Sequence, residues 1–194
     1  KTEATYRNMI PVDNDSIDIS VFYYEQHGPK EQLARAYYYK ACILFFNRNN
    51  VTAAIKLLKR AENTAKGHGG LALMHKIFST LSYVNLTTKN YNTALNYAEK
   101  ARGMATRANN DLWMAYSLSY IANAYSGLGV PDSNLNYLLK ALKLYKHLDT
   151  ESQTVLLANI SDVYSQKGDT VKSAKFILRA LKERPDSYTY TILT

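Results

Sequence analysis

Cysteine occurs once in the 194 residues, at Cys42, while proline occurs four times and glycine eight. A lone cysteine excludes an internal disulfide framework. So few chain breakers argue against many short strands joined by turns and for a small number of long elements. Apolar residues nowhere run for the roughly 18 consecutive positions that a membrane span needs. The short signatures of common chemistries are missing too. There is no Gly-rich loop ending in Lys-Ser/Thr, no His-Glu-x-x-His and no Cys-x-x-Cys. The sequence therefore carries no expectation of a cofactor, a metal site or catalysis.

What is present is ordinary material for a folded protein, 46% hydrophobic and 21% charged. The net charge of +8 is unevenly placed: three of the 24 basic and six of the 16 acidic residues fall in 1–31, so the remainder is strongly basic. That imbalance raises nucleic acid as a partner class. The basic residues, however, spread over alternate segments and turns (Lys56, Lys59, Lys100, Arg107, Lys140, Lys143, Lys172 and Lys182), whereas most of the 17 tyrosines lie on the other segments. A strand-binding surface interleaves the two. The charge reads as a solvated outer face, with nucleic-acid binding there as the lower alternative.

The chain repeats itself. Segments beginning at Arg35, His75, Ala115 and Thr154 align at spacings of 40, 40 and 39 residues. The alignment superposes Ala41, Leu81, Ile121 and Ile160, then Cys42, Ser82, Ala122 and Ser161, and later Ala61, Ala101, Ala141 and Ala180. Within each repeat apolar residues recur every three or four positions, the helical period, as in Ile55, Leu58 and Ala61. Breaks fall at Asn49-Asn50, Lys89-Asn90, Gly129-Val130-Pro131 and Gly168-Asp169. Glycine there suits a left-handed helix end, and Asp132 and Asp169 are placed to cap the helix that follows. Each repeat is thus expected to be two helices of about 17 residues, near 25 Å long at roughly 1.5 Å per residue. Small residues at Cys42, Ser82, Ala122 and Ser161, faced by Ala54 and Ala94, mark where paired helices cross. An Ala94→Leu change is expected to overpack that crossing at a cost of roughly 1–3 kcal/mol.

The run Tyr91, Ala94, Ala98 and Ala101, and the run Ile160, Ser161, Tyr164, Gly168, Asp169, Ala180 and Pro185, resemble the tetratricopeptide repeat. The resemblance covers about residues 30–186, with Asn85 where a Tyr is usual and a repeat longer than the common one. It implies an all-α fold, a right-handed superhelix of antiparallel helical hairpins that binds peptides or proteins in its concave groove. The opening stretch Tyr6 to Ser16, with Tyr23 to Gly28 and Ala36 to Tyr39, is similar to bacterial proteins of this type. Many of those carry a lipoprotein signal, a later membrane helix or a DNA-binding region, which implies a periplasmic or membrane-anchored setting, with a cytoplasmic one left open. On this reading residues 1–28 are a partial hairpin, 29–186 the array of about four hairpins, and 187–194 the start of a further repeat or a tail.

The resemblance implies a non-catalytic protein- or peptide-binding scaffold, or alternatively the peptide-responsive sensor of a transcriptional or membrane-linked regulator. It places the groove on the first helix of each hairpin: Tyr39, Lys40, Asn47, Lys76, Tyr83, Tyr116, Tyr120, Asn123, Asn159, Asp162 and Gln166. Asn123 and Asn159 align with asparagines that peptide-binding members use on a ligand backbone. Ser119 stands where a clamp for two carboxylates would have Lys. From the residues themselves, Cys42 reads as packing, Asp13-Asn14-Asp15 as helix capping, Gly67-His68-Gly69-Gly70 as a turn, and the four histidines as exposed residues near helix ends.

Overall fold

The computed structural model describes residues 15–183. Asp13, Asn14, Pro185 and Tyr188 to Leu193, which the sequence reading used, lie outside that range. Among the described residues the chain is helical throughout, without strands. A first helix, α1 (Asp15–His27), precedes four antiparallel hairpins. These are α2 (Lys30–Phe46) with α3 (Val51–Ala65), and α4 (Leu71–Thr87) with α5 (Tyr91–Ala108). Then follow α6 (Asp111–Gly127) with α7 (Pro131–Leu142), and α8 (Thr150–Gln166) with α9 (Thr170–Glu183). The hairpins stack in sequence order, each meeting the next.

The registers of the repeat are the core. Ala41, Leu81, Ile121 and Ile160 are fully buried, and so are Ala61, Ala101, Ala141 and Ala180. Alanine at the second set lets each second helix lie close to its partner, where dispersion contacts are densest. The crossing residues do more than stay small. Ser82 Oγ donates to the Ala94 carbonyl at 2.9 Å, and Ser161 Oγ to the Ser173 carbonyl at 2.8 Å. A serine here fits the crossing and satisfies its own hydroxyl within it.

The helix ends depart from expectation at Asn49, Lys89, Asp132 and the end of α7. Gly129 and Gly168 take positive φ as anticipated, but Asn49 (φ 50°) and Lys89 (φ 60°) fill the same role in the first two hairpins. Asparagine tolerates that conformation; lysine holds it at a steric cost. Asp169 does cap α9, accepting from the Lys172 amide at 3.0 Å. Asp132 does not cap α7: the preceding Pro131 occupies the first turn and puts Asp132 inside the helix, where it pairs with Lys167 instead. The caps the sequence reading passed over are Asn50, Asn110 and Asp149, which accept from Ala53, Trp113 and Ser152. Finally α7 is only 12 residues long and gives way to a 3₁₀ turn at 145–147, so the second helix of that hairpin is short.

Polar struts join successive layers. Tyr37 donates to Glu25 at 2.7 Å, and Arg60 donates to both at 2.8 and 2.6 Å, which ties α1, α2 and α3 together. The hydrogen bond from Tyr37, aided by Arg60, holds the Glu25 carboxyl below its usual range despite some desolvation. Burial and that same bond push the Tyr37 phenol up to about 12. Between the first and second hairpins, buried Glu62 meets Lys59 at 3.2 Å and Lys100 at 3.7 Å. A buried carboxylate is tolerable only with such partners. The apolar interior itself comes in two clusters: one from α1 to α5, Ile17 through Ala101, and one from Ala115 to Val163.

Candidate functional site

The first helices α2, α4 and α6 lie side by side and leave a cleft of about 330 Å³ between them. Tyr38 and Phe46 reach it from α2; His75, Lys76, Ser79, Thr80 and Tyr83 from α4; Leu112, Trp113, Tyr116 and Tyr120 from α6. The helical period explains the assembly. On α4, positions 76, 79, 80 and 83 form one stripe, as do 112, 113, 116 and 120 on α6. Phe46, Tyr83 and Leu112 are exposed apolar residues at its mouth. Phe46 and Tyr83 stack with ring centroids 6.0 Å apart, and Tyr83 in turn lies 6.3 Å from Tyr120.

His75 corrects the reading of the histidines as exposed. It sits inside α4, only 6% accessible, stacked on Trp113 at 4.9 Å with the rings 15° apart. Its Nε2 lies 3.3 Å from the Trp113 carbonyl and 3.3 Å from Ser117 Oγ. Burial pulls the imidazole down to about 4, against a smaller upward pull from the Trp113 carbonyl. The ring is therefore neutral at physiological pH. Burial, then the neighbouring phenols of Tyr83 and Tyr116, push Tyr120 up to about 12. Tyr116 is committed elsewhere at its tip: its hydroxyl donates to Asp149 at 2.6 Å, linking α6 to the start of α8. Burial first and that bond second raise Tyr116; in Asp149 the bonds from Tyr116 and Ser152 outweigh burial and lower it.

Of the residues the sequence placed in a groove, Lys76, Tyr83, Tyr116 and Tyr120 meet in this cleft. The others do not line it. Tyr39 is buried on α2 against the Tyr38 ring, with the Lys76 ammonium 5.9 Å from its own ring centre, and Lys40 is paired with Asp18 of α1 at 2.6 Å. Asn47 is exposed at the C-cap of α2. Asn123 and Asn159 are half-buried on α6 and α8. Asp162 and Gln166 are exposed and bonded to one another at 2.8 Å, one turn apart on α8. The sequence reading missed Tyr38, Phe46, His75, Ser79, Thr80, Leu112 and Trp113. Phe46 and Leu112 lie at the ends of their helices, where periodicity gives the weakest signal.

On the second helices the cations rest on rings: Lys59 and Lys100 each lie 4.7 Å from the Tyr97 centroid, and Lys140 lies 4.9 Å from that of Tyr137. Tyr97 is itself buried. Among the described residues no cluster of His, Cys, Asp or Glu could hold a metal ion, and no helix is long and apolar enough to cross a membrane.

Residues 114–148, which span most of α6 and all of α7, match the family model described as a tetratricopeptide repeat. No curated protein matches the chain by sequence. Solved structures do match its fold. BtubC (BKLC) from P. vanneervenii is 16% identical with a TM-score of 0.77, the match covering 87% of this chain and 70% of that one. The apo form of RapI is 19% identical with a TM-score of 0.74, covering 82% of this chain and 60% of that one. A Rap protein complexed with competence and sporulation factor is 16% identical with a TM-score of 0.67, covering 87% and 52%. The chain thus spans little more than half of each Rap protein. Residues 114–148 thus match one tetratricopeptide repeat, and the all-α solenoid of helical hairpins is shared with these structures along most of the chain.

Proposed function

We propose that the chain is a non-catalytic scaffold that holds a peptide, or an extended segment of a protein, in the cleft between α2, α4 and α6. The observation that carries this reading is the aromatic cleft itself, with exposed Phe46 and Tyr83 stacked on one another and exposed Leu112 also on its lining. Exposed apolar surface in a concave cleft that polar groups also line favours a binding partner. A fold neighbour that is a Rap protein complexed with a factor supports ligand binding by this architecture. Asn123 and Asn159 extend the proposed track beyond the cleft. Neither amide has a hydrogen-bond partner among the described residues, and an amide offers a peptide unit both a donor and an acceptor.

A sensor reading rests on a separate observation: the cleft spans the boundary between the two core clusters, so a ligand there touches both halves of the array. Nucleic-acid binding by the outer basic face is disfavoured by the buried position of Tyr97, whose ring supports lysines and has no free surface for a base.

Trp113 is the sole tryptophan and lines the cleft, so its emission reports occupancy directly. A peptide recovered from an unbiased library should shift that emission saturably. Its affinity should fall by roughly 1–2 kcal/mol in Asn123→Ala or Asn159→Ala wherever the amide bonds the ligand. Peptides that bind without disturbing Trp113 and ignore both substitutions would place the site elsewhere.

A further inference from the structure

The second helices carry the outward positions of the repeat, and the last two hairpins fill them differently from the first two. Thr52, Asn92, Asp132 and Val171 share one register, and all are exposed. Lys56, Asn96, Asn136 and Lys175 share another, one turn on, and are exposed as well. Register therefore sets Val171 and Lys175 facing outward on α9, as it does their counterparts in the three preceding hairpins. In the first two hairpins Arg60 pairs with Glu25, and Lys59 and Lys100 with buried Glu62. On α7 and α9, by contrast, Lys140, Lys143, Lys175 and Lys182 are exposed, and none pairs with a carboxylate among the described residues. The acids at the starts of these helices are taken, Asp132 by Lys167 and Asp169 by Lys172. Beside the lysines stand two exposed aliphatic side chains, Val171 (79%) and Leu178 (64%).

We propose that the outer face of α7 and α9 lies on an anionic bilayer surface. The residue types select this partner. Interfaces with another protein favour arginine forks and aromatic rings and are poor in lysine. Stacking of nucleic-acid bases needs open rings among the cations, and Tyr137 is covered by Tyr125 on one side and Lys140 on the other. Lysine is a point charge on a long apolar stem. With aliphatic neighbours it suits a fluid layer of negative headgroups above hydrocarbon. Val171 and Leu178 enter that layer and the four lysines meet its phosphates and carboxylates, so the array lies on the membrane without crossing it. The cleft between α2, α4 and α6 takes no part, and this proposal stands or falls separately from the reading of that cleft.

The test sediments the full chain with vesicles of phosphatidylcholine alone, or of phosphatidylcholine with about 30% phosphatidylserine. Partitioning should rise at least about tenfold with the anionic lipid, and the gain should shrink as salt screens it. Lys175→Gln with Lys182→Gln should lower partitioning about tenfold or more, each lysine at such a surface being worth about fivefold. Lys30→Gln with Lys56→Gln removes the same charge far from this face and should change partitioning by less than about twofold. Leu178→Ser should weaken binding several-fold at unchanged charge. All five positions are exposed, and circular dichroism checks that each variant is folded. No gain from phosphatidylserine, or equal losses in the two lysine pairs, overturns the proposal. Duplex DNA or polyglutamate bound as tightly as the vesicles, with Leu178→Ser without effect, shows a face for any polyanion and overturns it too.

Discussion

Acidification should loosen this protein through one buried ring. In the folded chain His75 takes its proton only near 4, whereas in the unfolded chain it does so at its ordinary value of 6.5. Between those values the unfolded state holds the extra proton, so stability falls as pH falls, and the loss is complete once pH is below the folded value. Moving from about pH 7.5 to about pH 4.5 should therefore remove about 2–3 kcal/mol on account of His75 alone. That is a large share of the total of about 5–15 kcal/mol that holds a domain together. The measurement is urea unfolding followed by helical circular dichroism at both pH values, for the parent and for His75→Phe. Phenylalanine keeps the stack on Trp113 but cannot titrate. The parent should lose about 2–3 kcal/mol more than the variant over this interval, since carboxylates titrating in both proteins cancel in the difference. Identical losses would mean that His75 is free to protonate in the folded state, and the buried position assigned to it would be wrong.

Two further outcomes follow from the backbone. Lys89 holds a φ of 60° that glycine adopts without strain, so Lys89→Gly should raise stability by roughly 0.5–1 kcal/mol in the same urea assay, and a drop would show that the lysine side chain is needed at that turn. Gly127 ends α6 where an added Cβ would lie 2.2 Å from the Tyr91 ring, so Gly127→Ala should cost roughly 1–3 kcal/mol despite alanine's better helix propensity; a more stable variant would show that Tyr91 swings away freely.

The fold was legible in the sequence because its evidence is redundant. Four aligned registers say the same thing, and the positions they mark, Ala41 to Ile160 and Ala61 to Ala180, are the buried ones. Helix ends were less legible, since they depend on single residues. Lys89 in a left-handed turn contradicts its own local preference, and only the packing of the second hairpin on either side sets it there. Asp132 has the right chemistry for a cap but stands two positions late behind Pro131. For the cleft, the resemblance, which puts a groove on the first helices, led to Lys76, Tyr83, Tyr116 and Tyr120. A resemblance could not say that Lys40 is occupied by Asp18, because that contact depends on how α1 packs. Nor could it turn His75 inward. That required α4 and α6 to be adjacent, so that Trp113 offers a ring and a carbonyl 38 residues away in the chain.

The division of the interior into two clusters, meeting between α5 and α6, has a bearing on cooperativity. In nearest-neighbour terms the α5–α6 junction carries one of the coupling energies between hairpins, so the hairpins on its two sides melt together only while that coupling is strong. The His75–Trp113 stack is part of this coupling, and any ligand lodged beside it adds its binding free energy, RT ln(1 + [L]/Kd), to the same joint. Occupancy of the proposed site would thereby alter a property of the whole chain: the length over which it unfolds as a single unit.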